Sequence, residues 1–221
     1  MVFIHGLGGS SEDWQQQVAS LAPGYSILTL DNRGHGASRV ESNSASYSVP
    51  AMVEDLKSVL DHLSIKRCHL VGHSIGGAVA QELAHARPAG VISLTLVGTT
   101  DWFGDHDQPG GKPPYIPKNL RELSQQRVER MGTEVLKQCW AGLLAWHGSR
   151  EWIHTVTCKT LVLLGSLDAS RIVEGSQRLA GAIDGAKLVY IDKVGHSPHL
   201  EAVDAFTKTL IEFLQGLGRG P

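Results

Sequence analysis

Three cysteines, Cys68, Cys139 and Cys158, odd in number and scattered in or beside apolar runs, are too few for a disulfide framework. Buried free thiols in a reducing setting are the expectation. An excess of either charge is also lacking. Twenty Lys+Arg against 22 Asp+Glu leave a formal net charge of −2, so nothing electrostatic calls for nucleic acid or an anionic membrane as partner. Long apolar runs are missing as well. The opening Met1-Val2-Phe3-Ile4 passes at once into His5-Gly6, without the basic start and apolar stretch of a signal peptide. Nothing later approaches the ~20 apolar residues of a membrane span. The expectation is a cytoplasmic protein with a small-molecule partner, no nucleic-acid partner and no membrane; the oligomeric state is not legible.

What is present is enough chain, 221 residues, for one enzyme-sized unit with a substantial core. Apolar, β-branched runs occur at Val2–Ile4, Ser26–Leu30, Cys68–Val71, Ile92–Val97, Leu161–Leu164 and Lys187–Ile191. Their apolar character is nearly continuous, which marks strands buried on both faces of a parallel sheet. Helical spacing of apolar residues fills Val49–Leu63, Ala78–Ala86 and Val203–Leu217. Strand alternating with helix predicts an α/β fold, a mostly parallel sheet of about six strands with helices on both faces. The alternation lapses between Asp101 and about Thr155. There an irregular Pro- and Gly-rich loop, Gly104–Pro117, leads into a helical pattern over Leu120–Leu144. The expected organisation is a core over 1–101 and 156–221, interrupted by a short helical cap over 102–155 at the sheet's carboxyl edge.

Gly72-His73-Ser74-Ile75-Gly76-Gly77 sits directly between a predicted strand and a predicted helix. In that context Gly-x-Ser-x-Gly places a serine nucleophile on a tight strand-to-helix turn, whose crowding demands glycine on either side. The N-terminal N–H groups of the following helix favour negative charge beside it. His5-Gly6-Leu7-Gly8-Gly9 follows the first strand. Acyl transfer needs preorganised donors for the oxyanion, worth ~3 kcal/mol apiece, and the amides of Leu7 and Ile75 are the candidates. The glycine spacing matches neither phosphate-binding nor dinucleotide-binding loops. Asp31-Asn32-Arg33-Gly34-His35-Gly36-Ala37-Ser38, after the second strand, reads as structural, with Asp31 and Arg33 fixing the loop and His35 an ordinary loop histidine.

These motifs, together with Gly165-Ser166-Leu167-Asp168 and Gly195-His196-Ser197, resemble the α/β-hydrolase superfamily in order and over almost the whole chain. More narrowly they resemble its group of esterases, enol-lactonases and carbon–carbon hydrolases. The resemblance implies a triad in the chain order Ser74, Asp168, His196, with an acyl-enzyme intermediate and no cofactor. Asp101 is the rival acid, and Asp192 reads as a surface residue. The implied function is cleavage of carboxylic esters with small to medium acyl chains. The alternatives are an enol-lactonase or carbon–carbon hydrolase of aromatic breakdown, which a cluster of cap or pocket arginines would favour, and a ligand receptor that retains the triad. Arg121, Arg127 and Arg130 are not placed by sequence.

His196 and His199, three apart, lack the further ligands a metal would need, so no metal is expected. Glu201 is expected to cap or solvate the last helix. Of Trp102, Phe103, Trp140, Trp146 and Trp152, about half should pack the cap onto the core and the rest line an apolar acyl pocket. The family usually has a β-hairpin before the strand leading into His-Gly-x-Gly. Here the chain starts inside that strand, which suggests a compact or truncated variant with a smaller lid.

Overall fold

A computed structural model describes residues 1–38, 46–104 and 116–218. Six strands form one sheet: β1 (Val2–Ile4), β2 (Leu28–Leu30), β3 (Cys68–His73), β4 (Val91–Val97), β5 (Lys159–Gly165) and β6 (Lys187–Ile191), in the order β2-β1-β3-β4-β5-β6. Every recorded pairing is parallel. Eight helices are described: α1 (Gln15–Leu21), α2 (Val49–His62), α3 (Ile75–Ala86), α4 (Lys118–Met131), α5 (Thr133–Leu144), α6 (Ser170–Ala182), α7 (Pro198–Glu201) and α8 (Val203–Gln215).

The two-residue period of the strands divides the core between the faces of the sheet. Val2, Ile4, Leu70, Leu94, Leu96 and Val162 point to the side covered by α2, α3 and α6, where Met52, Leu56, Ile75, Leu83, Ile172 and Leu179 meet them. Met1, Phe3, Val71, Val97, Leu161 and Leu163 point to the other side, against Trp14 and Leu21 and the α8 residues Phe206, Leu210 and Phe213. Continuous apolar runs are the sign of burial on both faces, and the four inner strands are buried so, whereas the edge strands β2 and β6 are largely half-buried or exposed. All three cysteines are free.

Strand and helix limits differ from the expectations at informative places. Ser26 and Ile27 fall outside β2, because this edge strand pairs only with the three residues of β1. Helix α3 starts at Ile75, not Ala78, since Gly76 and Gly77 are drawn into its first turn. The helical pattern of Leu120–Leu144 is two helices, broken at Gly132 with φ 89°. Most of the irregular loop Gly104–Pro117 lies outside the described residues.

The chain runs from β1 outward to β2, then crosses back to β3 and continues to β6. The direction of winding therefore reverses between β1 and β3, and in open parallel sheets the crevice at the carboxyl ends beside such a reversal is where ligands bind. The Gly6–Gly9 loop leaves β1 there, and Ser74 leaves β3.

Candidate active site

Ser74 occupies φ 52°, ψ −117°, a strained conformation between the end of β3 and the start of α3. Its N–H donates to the Val97 carbonyl (2.9 Å), and its own carbonyl accepts from Gly77 N (2.8 Å) and Thr99 Oγ1 (2.8 Å). Those bonds over-determine a backbone that would cost ~1–3 kcal/mol to hold. The flanking glycines are explained by crowding. A Cβ on Gly72 would collide with the Gly76 carbonyl, and one on Gly76 with the Ile4 carbonyl. A Cβ on Gly6 would lie 3.3 Å from Ser74 Cβ, so the loop after β1 runs directly beside the serine. Ile75 is the first residue of α3, where an N–H has no intrahelical acceptor. Among the described residues the Leu7 N–H has no backbone acceptor either.

The end of β5 brings Asp168 to His196, which lies past β6. The imidazole Nδ1–H donates to Oδ1 at 2.9 Å and Oδ2 at 3.0 Å. Because a carboxylate only accepts, the contact sets the tautomer and leaves Nε2 as the free base. Asp168 Oδ1 also accepts from Ala169 N (2.7 Å). The Asp168 side chain is fully buried and that of His196 is 24% accessible. Burial pulls the His196 pKa down, but the charge and hydrogen bond of Asp168, with a further contribution from Glu201, outweigh it and hold the pKa above its usual value.

Asp101, the rival acid, is engaged elsewhere. It is 3% exposed and accepts from Arg178 (2.8 Å to each oxygen) and Arg150 (2.9 Å). Burial raises its pKa, but the hydrogen bonds and charges of the two guanidinia outweigh that and leave it below normal. Its carbonyl accepts from Ser149 N (2.7 Å), which draws the two ends of the 102–155 segment together.

Four histidines form a buried row behind the serine. His5 Nε2 accepts from Asn32 N (2.9 Å), so its proton sits on Nδ1 and goes to the Gly6 carbonyl (2.7 Å). This imidazole joins the loops after β1 and β2. Burial, then the neighbouring His35, takes its pKa down to about 3. His73 Nε2–H donates to the His196 carbonyl (2.9 Å), and the ring lies 5.0 Å from that of His196 and 4.5 Å from that of His199. His199 stacks on Trp14 at 4.3 Å. Neither ring nitrogen of His199 has a partner among the described residues. His35 is not an ordinary loop residue; it is buried against His5 at 4.9 Å.

Asp31 and Arg33 do fix their loop. Asp31 accepts from Ser11 N (2.6 Å) and Ala37 N (2.8 Å), and Arg33 forks onto Asp55. Asp192 is exposed and meets Ser166 Oγ (3.2 Å). Glu201 does not cap the last helix. Its two oxygens accept from Gly195 N and Ser197 N, each at 2.8 Å, on either side of His196.

A cavity of about 600 Å³ opens beside the Gly8–Glu12 and Asp31–Ala37 loops, walled by Tyr47 and by Arg127, Arg130, Met131 and Val135 of α4 and α5. Neither Ser74 nor His196 lines it. The acyl pocket expected from the aromatic residues is not found there. Phe103 and Trp146 are buried in the core, Trp102 lies under Arg150, Trp152 stacks on His85, and Trp140 is 40% exposed. Arg127 is paired with buried Asp13, Val128 lies near Gly8, and Val135 and Gly142 border Gly34 and Tyr47. These contacts seat α4 and α5 against the loops at the carboxyl edge. Among the described residues Arg121 donates to the Ile116 carbonyl (3.3 Å), and it does not line the cavity.

The α/β hydrolase fold family matches residues 1–131. The chain belongs to this family. RutD of Variovorax paradoxus, whose name proposes a carbamate hydrolase, is 29% identical, over 95% of this chain and 89% of its own length. The pimeloyl-[acyl-carrier protein] methyl ester esterase of Pectobacterium atrosepticum is 27% identical over 97% and 94%. The crystal structure of a hydrolase from Pseudomonas aeruginosa superposes with a TM-score of 0.82 at 25% identity, covering 96% of this chain and 88% of that one. This α/β hydrolase is accordingly a hydrolytic enzyme, and no helix among its described residues is long and apolar enough to cross a membrane.

Proposed function

We propose that this α/β hydrolase cleaves carboxylic esters of small to medium acyl chains, with Ser74 as nucleophile, His196 as general base and Asp168 as its orienting acid. The observation that carries the reading is the strained Ser74 turn at the winding reversal, with the Asp168–His196 pair held on the same carboxyl edge. In the neutral imidazole of His196 the proton sits on Nδ1, committed to Asp168, so Nε2 is free to take the Ser74 proton as Oγ attacks the carbonyl carbon. The Leu7 and Ile75 amides receive the oxyanion. Collapse returns the proton to the departing alcohol, and water repeats the sequence on the acyl-enzyme. Helices α4 and α5 act as the lid. The methyl ester esterase among the relatives supports an ester, while the carbamate name keeps an acyl–nitrogen substrate as the second reading. Both use the same attack on a carbonyl.

Lactone or carbon–carbon cleavage of an acidic substrate would draw on a cluster of cap arginines, and of the three only Arg130 lines the cavity without a carboxylate partner among the described residues, since Arg127 is paired with Asp13 and Arg121 is not in the cavity wall. A receptor role predicts negligible turnover. An organophosphonate is expected to label Ser74 in the wild type, and Ser74→Ala to abolish labelling and the hydrolysis of p-nitrophenyl esters across a series of chain lengths. Turnover surviving the substitution would remove Ser74 from the mechanism. A carbamate turned over faster than every ester would shift the reading to the alternative.

A further inference from the structure

We propose that Glu201 is a positioning residue for His196, an inference that rests on the triad reading above. A loop histidine serves as a base only if its ring stays within a fraction of an ångström of the nucleophile, and a side-chain contact alone cannot fix a mobile backbone. The His196 backbone is held from several elements. Glu201, on the short helix α7 that follows, accepts from the amides immediately before and after His196, Gly195 N and Ser197 N, each at 2.8 Å. His73, at the end of β3 and next to Ser74, donates to the His196 carbonyl at 2.9 Å. Asp168, beyond β5, holds the ring.

A carboxylate is suited to this because its two oxygens accept two bonds diverging around one residue. Bonds from N–H groups to an ionised acceptor are roughly twice as strong as neutral ones. An amide in its place retains a single acceptor oxygen. It would leave one N–H unpaired and direct its own N–H₂ at that donor.

The Glu201 charge also acts on the ring. The titratable groups facing His196 are Asp168 beyond β5, His73 on β3, and His199 and Glu201 on α7. His73 and His199 are pushed toward the neutral form by burial, so Asp168 and Glu201 are the two charges that favour imidazolium. Imidazolium forms when Ser74 is deprotonated. Glu201 therefore stabilises the same charge as Asp168 without touching the ring or the substrate.

Glu201→Gln is expected to lower kcat on a p-nitrophenyl ester by roughly ten- to a hundredfold with little change in KM. The acid limb of its kcat/KM profile should move to lower pH, because one of the two charges that raise the His196 pKa is gone. A loss of packing alone would not move that limb. Glu201→Asp keeps the charge but is one methylene too short to span both amides. Its limb should stay near the wild-type position while kcat falls. In the wild-type protein, hydrogen exchange should show the Gly195 and Ser197 amides protected. That measurement needs no variant, so a Glu201→Gln protein that fails to fold leaves the proposal testable.

Gly195 and Ser197 amides that exchange like open-loop amides would overturn the proposal, as would Glu201→Gln with wild-type kcat and an unmoved limb. The underlying triad is tested separately by phosphonate labelling. Wild-type protein that is not labelled at Ser74 counts against the triad itself. Normal wild-type labelling with Glu201→Gln labelled at the same rate and pH dependence counts against Glu201 alone.

Discussion

Replacing His199 by Phe isolates one source of acid lability. The His199 side chain is fully buried, stacks on Trp14, faces Phe206 edge-on, and has no hydrogen-bond partner for either ring nitrogen among the described residues. Burial, then the charges of His196 and Arg127, lowers its pKa to about 3. A histidine whose folded pKa is depressed contributes no penalty above its unfolded pKa of about 6.5 and progressively destabilises the fold as pH falls below it. At pH 5 the unfolded chain has gained a proton that the folded chain refuses. The cost is about 1.4 kcal/mol per pH unit over 1.5 units, or about 2 kcal/mol.

That figure depends on the unfolded pKa and hardly on the folded one, provided the folded value stays well below 5. His5 adds a second increment of about 2 kcal/mol by the same route. His196 works the other way. Its folded pKa is raised, so its contribution is fully present below the unfolded value and is lost as pH rises through the folded one. Since His5 and His196 are common to both proteins, they cancel in the comparison. Phe keeps the stacking and removes the titration. Urea unfolding at pH 7.5 and at pH 5 should show the wild type losing about 2 kcal/mol more than His199→Phe over that interval. Equal losses in the two proteins would refute the reasoning and place His199 in contact with water.

Other substitutions separate chemistry from scaffold. Asp168→Asn is expected to lower turnover by about 10⁴ with the fold intact, since the amide no longer holds the productive tautomer. Asp101→Asn should leave Ser74 labelling intact while stability falls by about 3 kcal/mol or somewhat less, because two half-exposed guanidinia lose their buried partner. In a chain of this size that corresponds to a Tm lower by roughly 5–10 °C, readable by calorimetry; a reversed pattern of activity losses would transfer the acid to Asp101. Gly98 has φ 49°, and a Cβ there would lie 2.7 Å from the His196 carbonyl oxygen and 3.3 Å from Asp168 Oδ2. Gly98→Ala should displace that pair and cost about a hundredfold in kcat/KM, and near-normal kinetics would show that the pair tolerates the shift.

The alternation of apolar runs with helical spacing specified a parallel sheet covered on both faces, because burial on two sides leaves strands no polar face to show. Gly72-His73-Ser74-Ile75-Gly76 specified a tight strand-to-helix turn, because the crowding at Gly72 is local to the turn, whereas that at Gly76 comes from the Ile4 carbonyl and exists only once β1 is in place. Helix α6 shows no apolar stripe in sequence, because its buried face is Ile172, Gly175, Ser176 and Leu179, half of it small or polar. Other features depend on residues that meet only after folding. Asp101 finds Arg150 and Arg178, Asp13 finds Arg127, and His73 reaches the carbonyl of His196. Ionic pairing and hydrogen bonding carry no periodic signature, so a lone Asp or Glu in sequence does not reveal whether water, a guanidinium or a loop amide will meet it. Glu201 is the sharpest instance: as a letter it suited a helix end, and only the fold of the loop ahead of it turned its two oxygens onto the amides that bracket His196.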